Sequence, residues 1–217
     1  MIGLLGGTFD PVHAGHLDVA RAAQHALDLE RICLIPSRQP PHRPAPSAST
    51  ADRLAMLRAA TADDALFEIS TIELDADGPS YTAHTLDRLA ARGTDTRAVC
   101  FITGADAFAD ISTWYQYPEL LDRCHFAVVS RPGLPASALP VRLPALANRM
   151  RIADKNHRYP TTTQPSIFLI DAPTAPVSST DVRARIARGA SIAGLVPEAV
   201  AAYIDAHHLY RTEAHGH

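Results

Sequence analysis

Six short apolar runs, separated by longer stretches in which apolar residues recur every three or four positions, restrict this chain to one class of fold. The runs are Ile2–Leu5, Ile32–Ile35, Phe67–Leu74, Ala98–Thr103, Phe126–Ser130 and Ile167–Ile170. Several are apolar at every position, as a strand must be when both of its faces are covered. The intervening stretches read as helices over His16–Leu29, Ala51–Ala62, Thr82–Ala91, Pro118–Arg123, Ser179–Arg188 and Pro197–His208. The last opens on a proline, which costs no hydrogen bond at a helix start. Strands alternating with helices predict an α/β architecture, a doubly wound parallel sheet flanked by helices. Such sheets bind ligands at the carboxyl ends of their strands, near the switch point in strand order. At 217 residues and 47% hydrophobic content the chain is expected to form one domain, 1–217, that includes a C-terminal helical part at about 178–210.

The charge balance, 20 basic against 23 acidic residues or −3 in sum, argues against a nucleic-acid partner, because a non-specific grip on a duplex needs a positive face. No apolar stretch approaches a membrane span, and Met1 leads into a glycine turn instead of a signal peptide. Cys33, Cys100 and Cys124 are too few and too scattered for a disulfide framework or a cysteine-rich zinc site. Cys33 and Cys100 sit in apolar runs and are expected in the core, and a reducing cytoplasm is the expected location. The composition leaves the oligomeric state open, a homo-oligomer included. Two Pro-rich stretches break the alternation. Pro132–Pro144 reads as a stiff surface loop, whereas Arg38–Ser49 directly follows a strand and reads equally as an active-site loop.

The most informative segment is Gly6-Gly7-Thr8-Phe9-Asp10-Pro11-Val12-His13-Ala14-Gly15-His16, which joins the first strand to the first helix. Paired glycines let the backbone bend and approach a ligand, and the helix start offers N–H groups and a positive dipole end to a phosphate. The glycine spacing fits neither the dinucleotide fingerprint nor the P-loop. His13 and His16, three apart, share a helix face and can donate to one anion. They also read as a metal pair without a third ligand at motif spacing, or as exposed helix-start histidines.

Ser178-Ser179-Thr180-Asp181-Val182-Arg183 follows the strand Ile167–Ile170 and opens a helix. One hydroxyl would serve as an N-cap worth about 1 kcal/mol. Three hydroxyls with Arg183 one turn on make a second anion site. Gly104-Ala105-Asp106 puts a carboxylate at a strand end, as a functional group or another cap. Trp114-Tyr115 can stack on a flat ring or anchor packing, and Ser80-Tyr81-Thr82 with Thr85 can be a plain helix start.

The segment GGTFDPVHAGH resembles the first signature of the nucleotidylyltransferase superfamily, and SSTDVR resembles its second. PPHR, SYTAHTL, GADAF, Trp114-Tyr115, VSRPG and VPEAVAAYIDAHHLY follow in an order similar to the bacterial nicotinate-nucleotide adenylyltransferases, over residues 2 to about 210. The resemblance implies a Rossmann-like fold and transfer of AMP from ATP to nicotinate mononucleotide, with Mg2+ bound mainly through the ATP phosphates. It implies that His13 and His16 bind those phosphates and stabilise the transition state, with Arg183, Ser179 and Thr180 holding the triphosphate. Gly7, Thr8, Phe9, Arg43, Gly104 and Asp106 are the implied remainder of the ATP site. Thr82, Thr85, Trp114, Tyr115 and Arg131 are the implied mononucleotide side. Two positions depart from the family pattern: Arg43 stands where Lys is frequent, and Val182 where Ile is frequent. The alternatives are another adenylyltransferase, with a nicotinamide mononucleotide or phosphopantetheine acceptor, and a nucleotide-binding module without turnover.

Overall fold

The computed structural model describes residues 1–40, 44–153 and 164–211. Among them lies a seven-stranded sheet whose neighbouring strands are all parallel. The strands are β1 (Ile2–Gly7), β2 (Arg31–Pro36), β3 (Phe67–Ile69), β4 (Val99–Gly104), β5 (His125–Val129), β6 (Met150–Ile152) and β7 (Ile167–Ile170), ordered β3-β2-β1-β4-β5-β7-β6. The helices are α1 (Ala14–Leu27), α2 (Thr50–Thr61), α3 (Thr82–Ala91), α4 (Ala105–Phe108), α5 (Leu139–Arg142), α6 (Ser179–Ala187) and α7 (Glu198–Ala206), with short 3-10 turns between them.

The unbroken apolar runs have a simple cause. Successive strand residues point to opposite faces, so a strand covered on both sides must be apolar throughout. Phe126 and Val128 enter one core cluster and Ala127 and Val129 the other; Ile167 and Leu169 divide from Phe168 and Ile170 in the same way. On one face α1, α2, α6 and α7 supply Leu17, Ala23, Met56, Val182 and Ile204. On the other, α3 and α4 supply Leu86 and Phe108, and Leu139 of α5 joins them. Going from β1 the chain builds outward to β2 and β3, then returns to β4 on β1's opposite side. That reversal opens a crevice between the C-terminal ends of β1 and β4.

Four expectations need correction. The strand expected over Phe67–Leu74 ends at Ile69: the last ladder bond runs from Ser70 N to Leu34 O. Beyond it, Asp75 N and the Thr71 hydroxyl close a turn that carries Ile72 and Glu73 inward. The helix expected over Pro118–Arg123 is only the 3-10 turn Glu119–Asp122, since so short a segment forms too few helical bonds. The stretch Pro132–Pro144, expected as a loop, contains the 3-10 turn Ala136–Ala138 and the helical turn α5, whose proline lies in its first turn. It is followed by the 3-10 turn Pro144–Arg149 and the edge strand β6, a three-residue element too short to leave a periodic signal. Finally, Cys33 is only half-buried, whereas Cys100 is in the core as expected.

His125 begins β5, is fully buried, and accepts at Nδ1 from the Ser166 backbone N–H at 3.0 Å. Burial pushes its pKa below the ordinary histidine value. A histidine that resists protonation only when folded stabilises the fold fully above about pH 6.5 and loses that contribution as pH falls. The urea midpoint should therefore drop between about pH 7.5 and 5.5. His125→Asn, which keeps an acceptor for Ser166, should flatten that drop; an unchanged slope in the variant would rule His125 out as its source.

Candidate active site

The crevice between β1 and β4 holds a cleft of about 470 Å³. Its floor is Gly6 and Gly7 of β1 with Ile102, Thr103 and Gly104 of β4. One wall comes from the β1–α1 turn and the start of α1, with Arg131 and Ser179. The other comes from Glu73, Ser80–Thr82 and the pair Trp114-Tyr115.

At the first wall the chain turns at Phe9, whose φ of 49° is in the left-handed region. Its buried ring covers Gly7, where a Cβ would lie 3.1 Å from the ring and crowd the turn as it folds back on β1. The same ring meets His16 edge-on at 4.9 Å between centroids. His16 stacks on His13 at 3.7 Å, and the backbone N–H of His13 donates to His16 Nδ1 at 3.3 Å. With Nδ1 accepting, a neutral His16 carries its proton on Nε2. His16 lines the cleft, whereas His13 lies beneath it at 3% exposure, its Nδ1 without a hydrogen-bond partner among the described residues. Burial, and then the Arg131 cation, push the His13 pKa down to about 4. His13 is thus neutral near pH 7, so positive charge on this wall must come from elsewhere.

Arg131 supplies it. Its side chain lies flat across two glycines: a Cβ on Gly104 would sit 3.1 Å from Arg131 Cγ and Cδ, and one on Gly15 3.3 Å from its Nη1. Its Nε is 3.9 Å from Asp106 Oδ2, a carboxylate 62% exposed in the cleft. The resemblance puts Arg131 on the mononucleotide side; the structure puts it against α1 and His13, on the wall with the helix start. Ser179 also reaches this wall, its hydroxyl donating to Pro11 O at 2.9 Å. Thr180 and Arg183 do not line the cleft. Arg183 Nη1 donates to the Asp10 carbonyl at 2.6 Å and lies 3.6 Å from Asp10 Oδ2, which draws the side chain under the β1–α1 turn. Arg43 falls outside the described residues.

The second wall is aromatic. Tyr115, 45% exposed, stacks on Tyr81 at 4.7 Å, and His84 meets both rings edge-on. Trp114 stands at a right angle to Phe101, 5.9 Å away. Thr82 lines the cleft, but Thr85 does not. It is 1% exposed and its hydroxyl donates to Glu73 Oε1 at 2.5 Å, so it stands behind the wall and holds the carboxyl that does line it. Burial raises the Glu73 pKa against the opposing hydrogen bonds of Thr85 and Ser80. Glu73 was missed because Ile72-Glu73-Leu74 mimics the end of an alternating strand. Asp10 and Arg53, also missed, are buried charges; a lone Arg within a helix such as α2 carries no sequence signal. The two ends differ in kind: a helix start with an arginine and an imidazole N–H suits phosphate, and stacked rings beside a buried carboxyl suit a flat heterocycle.

Residues 4–185 match the family described as Cytidylyltransferase-like. The chain is 42% identical over 211 residues to a protein of Roseiflexus sp. (strain RS-1), covering 97% of this chain and 98% of that one. It is 40% identical over 211 residues to one of Cronobacter sakazakii (strain ATCC BAA-894), covering 95% and 94%. Each is named "Probable nicotinate-nucleotide adenylyltransferase". Among solved structures, Plasmodium falciparum nicotinic acid mononucleotide adenylyltransferase complexed with NaAD shares the fold at a TM-score of 0.71, with 18% identity over 96% of each chain.

If Arg131 is the cation that adds to burial at His13, then Arg131→Gln should raise the His13 pKa above about 4 while burial keeps it below the ordinary value. An NMR titration of the imidazole reads this directly, and an unmoved pKa would break the link.

Proposed function

This chain belongs to the nicotinate-nucleotide adenylyltransferase family, and on that footing we propose that it transfers AMP from ATP to nicotinate mononucleotide, yielding nicotinate adenine dinucleotide and pyrophosphate. The observation that carries the reading is one cleft with two chemically distinct ends on a shared glycine floor, His16 on the phosphate-suited wall. A reaction between two phosphates needs such an arrangement: each substrate is gripped by its own end, and their phosphates meet at the middle.

No enzyme nucleophile is required. A phosphate oxygen of the mononucleotide attacks the α-phosphorus of ATP, a new P–O bond forms, and the bond to the β-phosphate oxygen breaks to release pyrophosphate. Catalysis then rests on positioning and on neutralising charge that grows on the α-phosphate and the leaving group. In this reading His16 Nε2–H donates to a phosphate oxygen, Arg131 and the start of α1 supply positive potential, and Ser179 borders the same wall. His13 acts as the buried support of the His16 ring. Trp114 and Tyr115 face the pyridine ring, with Glu73 and Thr85 shaping the pocket behind it.

Mg2+ belongs to the proposal as an ion carried by the ATP phosphates, where it offsets their charge. Asp106, whose exposed carboxylate lines the cleft beside Arg131, is the side chain that would hold the ion's water shell. A reducing, cytoplasmic setting is part of the same reading, supported by three unpaired cysteines, two of them buried. Among the described residues no helix is long and apolar enough to cross a membrane.

Pyrophosphate release with ATP and Mg2+ tests the reaction, with nicotinate mononucleotide, nicotinamide mononucleotide and phosphopantetheine offered in parallel. Turnover is expected with the first and much weaker turnover with the others; none with any of them would leave only a nucleotide-binding scaffold. His16→Ala should keep the fold and lower turnover at least about a hundredfold, roughly 3 kcal/mol of transition-state stabilisation. Near-wild-type turnover would remove His16 from the chemistry.

A further inference from the structure

Under the β1–α1 turn lies a polar cluster that belongs to no wall of the cleft. Asp10, 3% exposed, accepts at Oδ2 from Ser47 N at 2.7 Å and at Oδ1 from Ala48 N at 3.0 Å. The Tyr210 hydroxyl donates to the same Oδ1 at 2.8 Å. Arg183 holds the Asp10 carbonyl and pairs with its carboxylate. Beside them Arg53, 1% exposed, donates from Nη1 to Thr8 O at 2.7 Å and to Ser37 O at 2.8 Å. Thr8 and Ser37 both line the cleft. One guanidinium thus joins the turns that follow β1 and β2, and one carboxylate joins the first of those turns to the far end of the 38–49 segment.

Tyr210 closes this cluster from the other end of the chain. It sits just past α7, with a φ of 61°, and its phenol is packed against the main core. Burial and the neighbouring carboxylate push its pKa up, so the hydroxyl stays a donor throughout the working pH range. Removing that oxygen would leave Asp10 Oδ1 with one donor in place of two, while the Arg183 and Arg53 cations still pull on the turn.

We propose that Tyr210 is a positioning residue of the ATP side of the cleft: through Asp10 its hydroxyl fixes the β1–α1 turn, which carries Thr8 and Phe9 into the cleft, in the arrangement that receives the donor phosphates. The proposal rests on the adenylyl-transfer reading for the name of the ligand, not for the cluster itself. A tyrosine that only stabilised the fold would alter unfolding and leave ligand affinities alike; a positioning role singles out one ligand.

The test is calorimetric titration of the full chain and of Tyr210→Phe, with ATP and separately with nicotinate mononucleotide, alongside thermal unfolding. Calorimetry reports affinity apart from the number of competent sites, so partial unfolding of the variant would lower the second and not the first. The expected result is ATP affinity about tenfold weaker, as suits a lost hydrogen bond to a charged group, with mononucleotide affinity unchanged. Equal affinities in both proteins, or equal losses for both ligands, would overturn the proposal. If the wild type binds ATP through Tyr210 yet releases no pyrophosphate with any acceptor, the positioning role stands and the reaction reading falls.

Discussion

The carboxylate of Asp10 is buried, and a buried carboxylate must be matched by donors or it costs several kcal/mol. Its donors come from Ser47, Ala48 and Tyr210, and its ion-pair partner is Arg183; these groups lie 37, 38, 200 and 173 positions away. The obligation to satisfy one side chain therefore brings the end of the 38–49 segment, α6 and the C-terminal stretch onto a single turn. That turn carries Thr8 and Phe9 into the cleft. The parallel sheet decides where the crevice opens, and Asp10 decides what surrounds it.

Above this anchor, the cleft separates charge from ring chemistry. His13 is kept neutral by burial and by Arg131, which leaves it free to serve as a stacking surface for His16 without adding a competing cation. The His13 backbone N–H sets the His16 tautomer, so the ring enters the cleft with a donor already oriented. Such preorganisation matters because a donor that need not reorient costs nothing when charge develops. Arg131 lies between α1 and β4 against Gly15 and Gly104, where a Cβ would crowd its side chain at 3.3 and 3.1 Å. Across the floor, Glu73 is clamped by Thr85, and the Tyr81–Tyr115 stack completes a surface suited to a flat ring.

How much of this was legible in the sequence depends on the range of the interaction. Strand runs such as Phe126–Val129 declared the sheet because burial on both faces writes itself into every position. The glycine turn with His13 and His16, contiguous in the chain, marked the segment that builds one wall of the cleft. Contacts between distant residues left no such mark. Thr85 was expected to face the ligand, and only the inward turn of Ile72-Glu73 shows that it faces Glu73. Arg183 has the spacing of a phosphate ligand, yet its path is set by Asp10, which no local pattern reveals. Tyr210 closes the segment VPEAVAAYIDAHHLY, and only the placing of its hydroxyl shows that it reaches Asp10. Met150–Ile152 was silent for a different reason: three residues on a sheet edge are too few to show a period.

The division of the cleft into a phosphate end and a ring end can be tested most directly by a crystal structure of the full chain with nicotinate adenine dinucleotide bound. The expected result places the pyridine ring against Trp114 and Tyr115, and a phosphate oxygen within hydrogen-bond reach of His16 Nε2. A pyridine ring seated at Arg131 and the start of α1, or a pyrophosphate distant from His16, would contradict that division and the mechanism built on it.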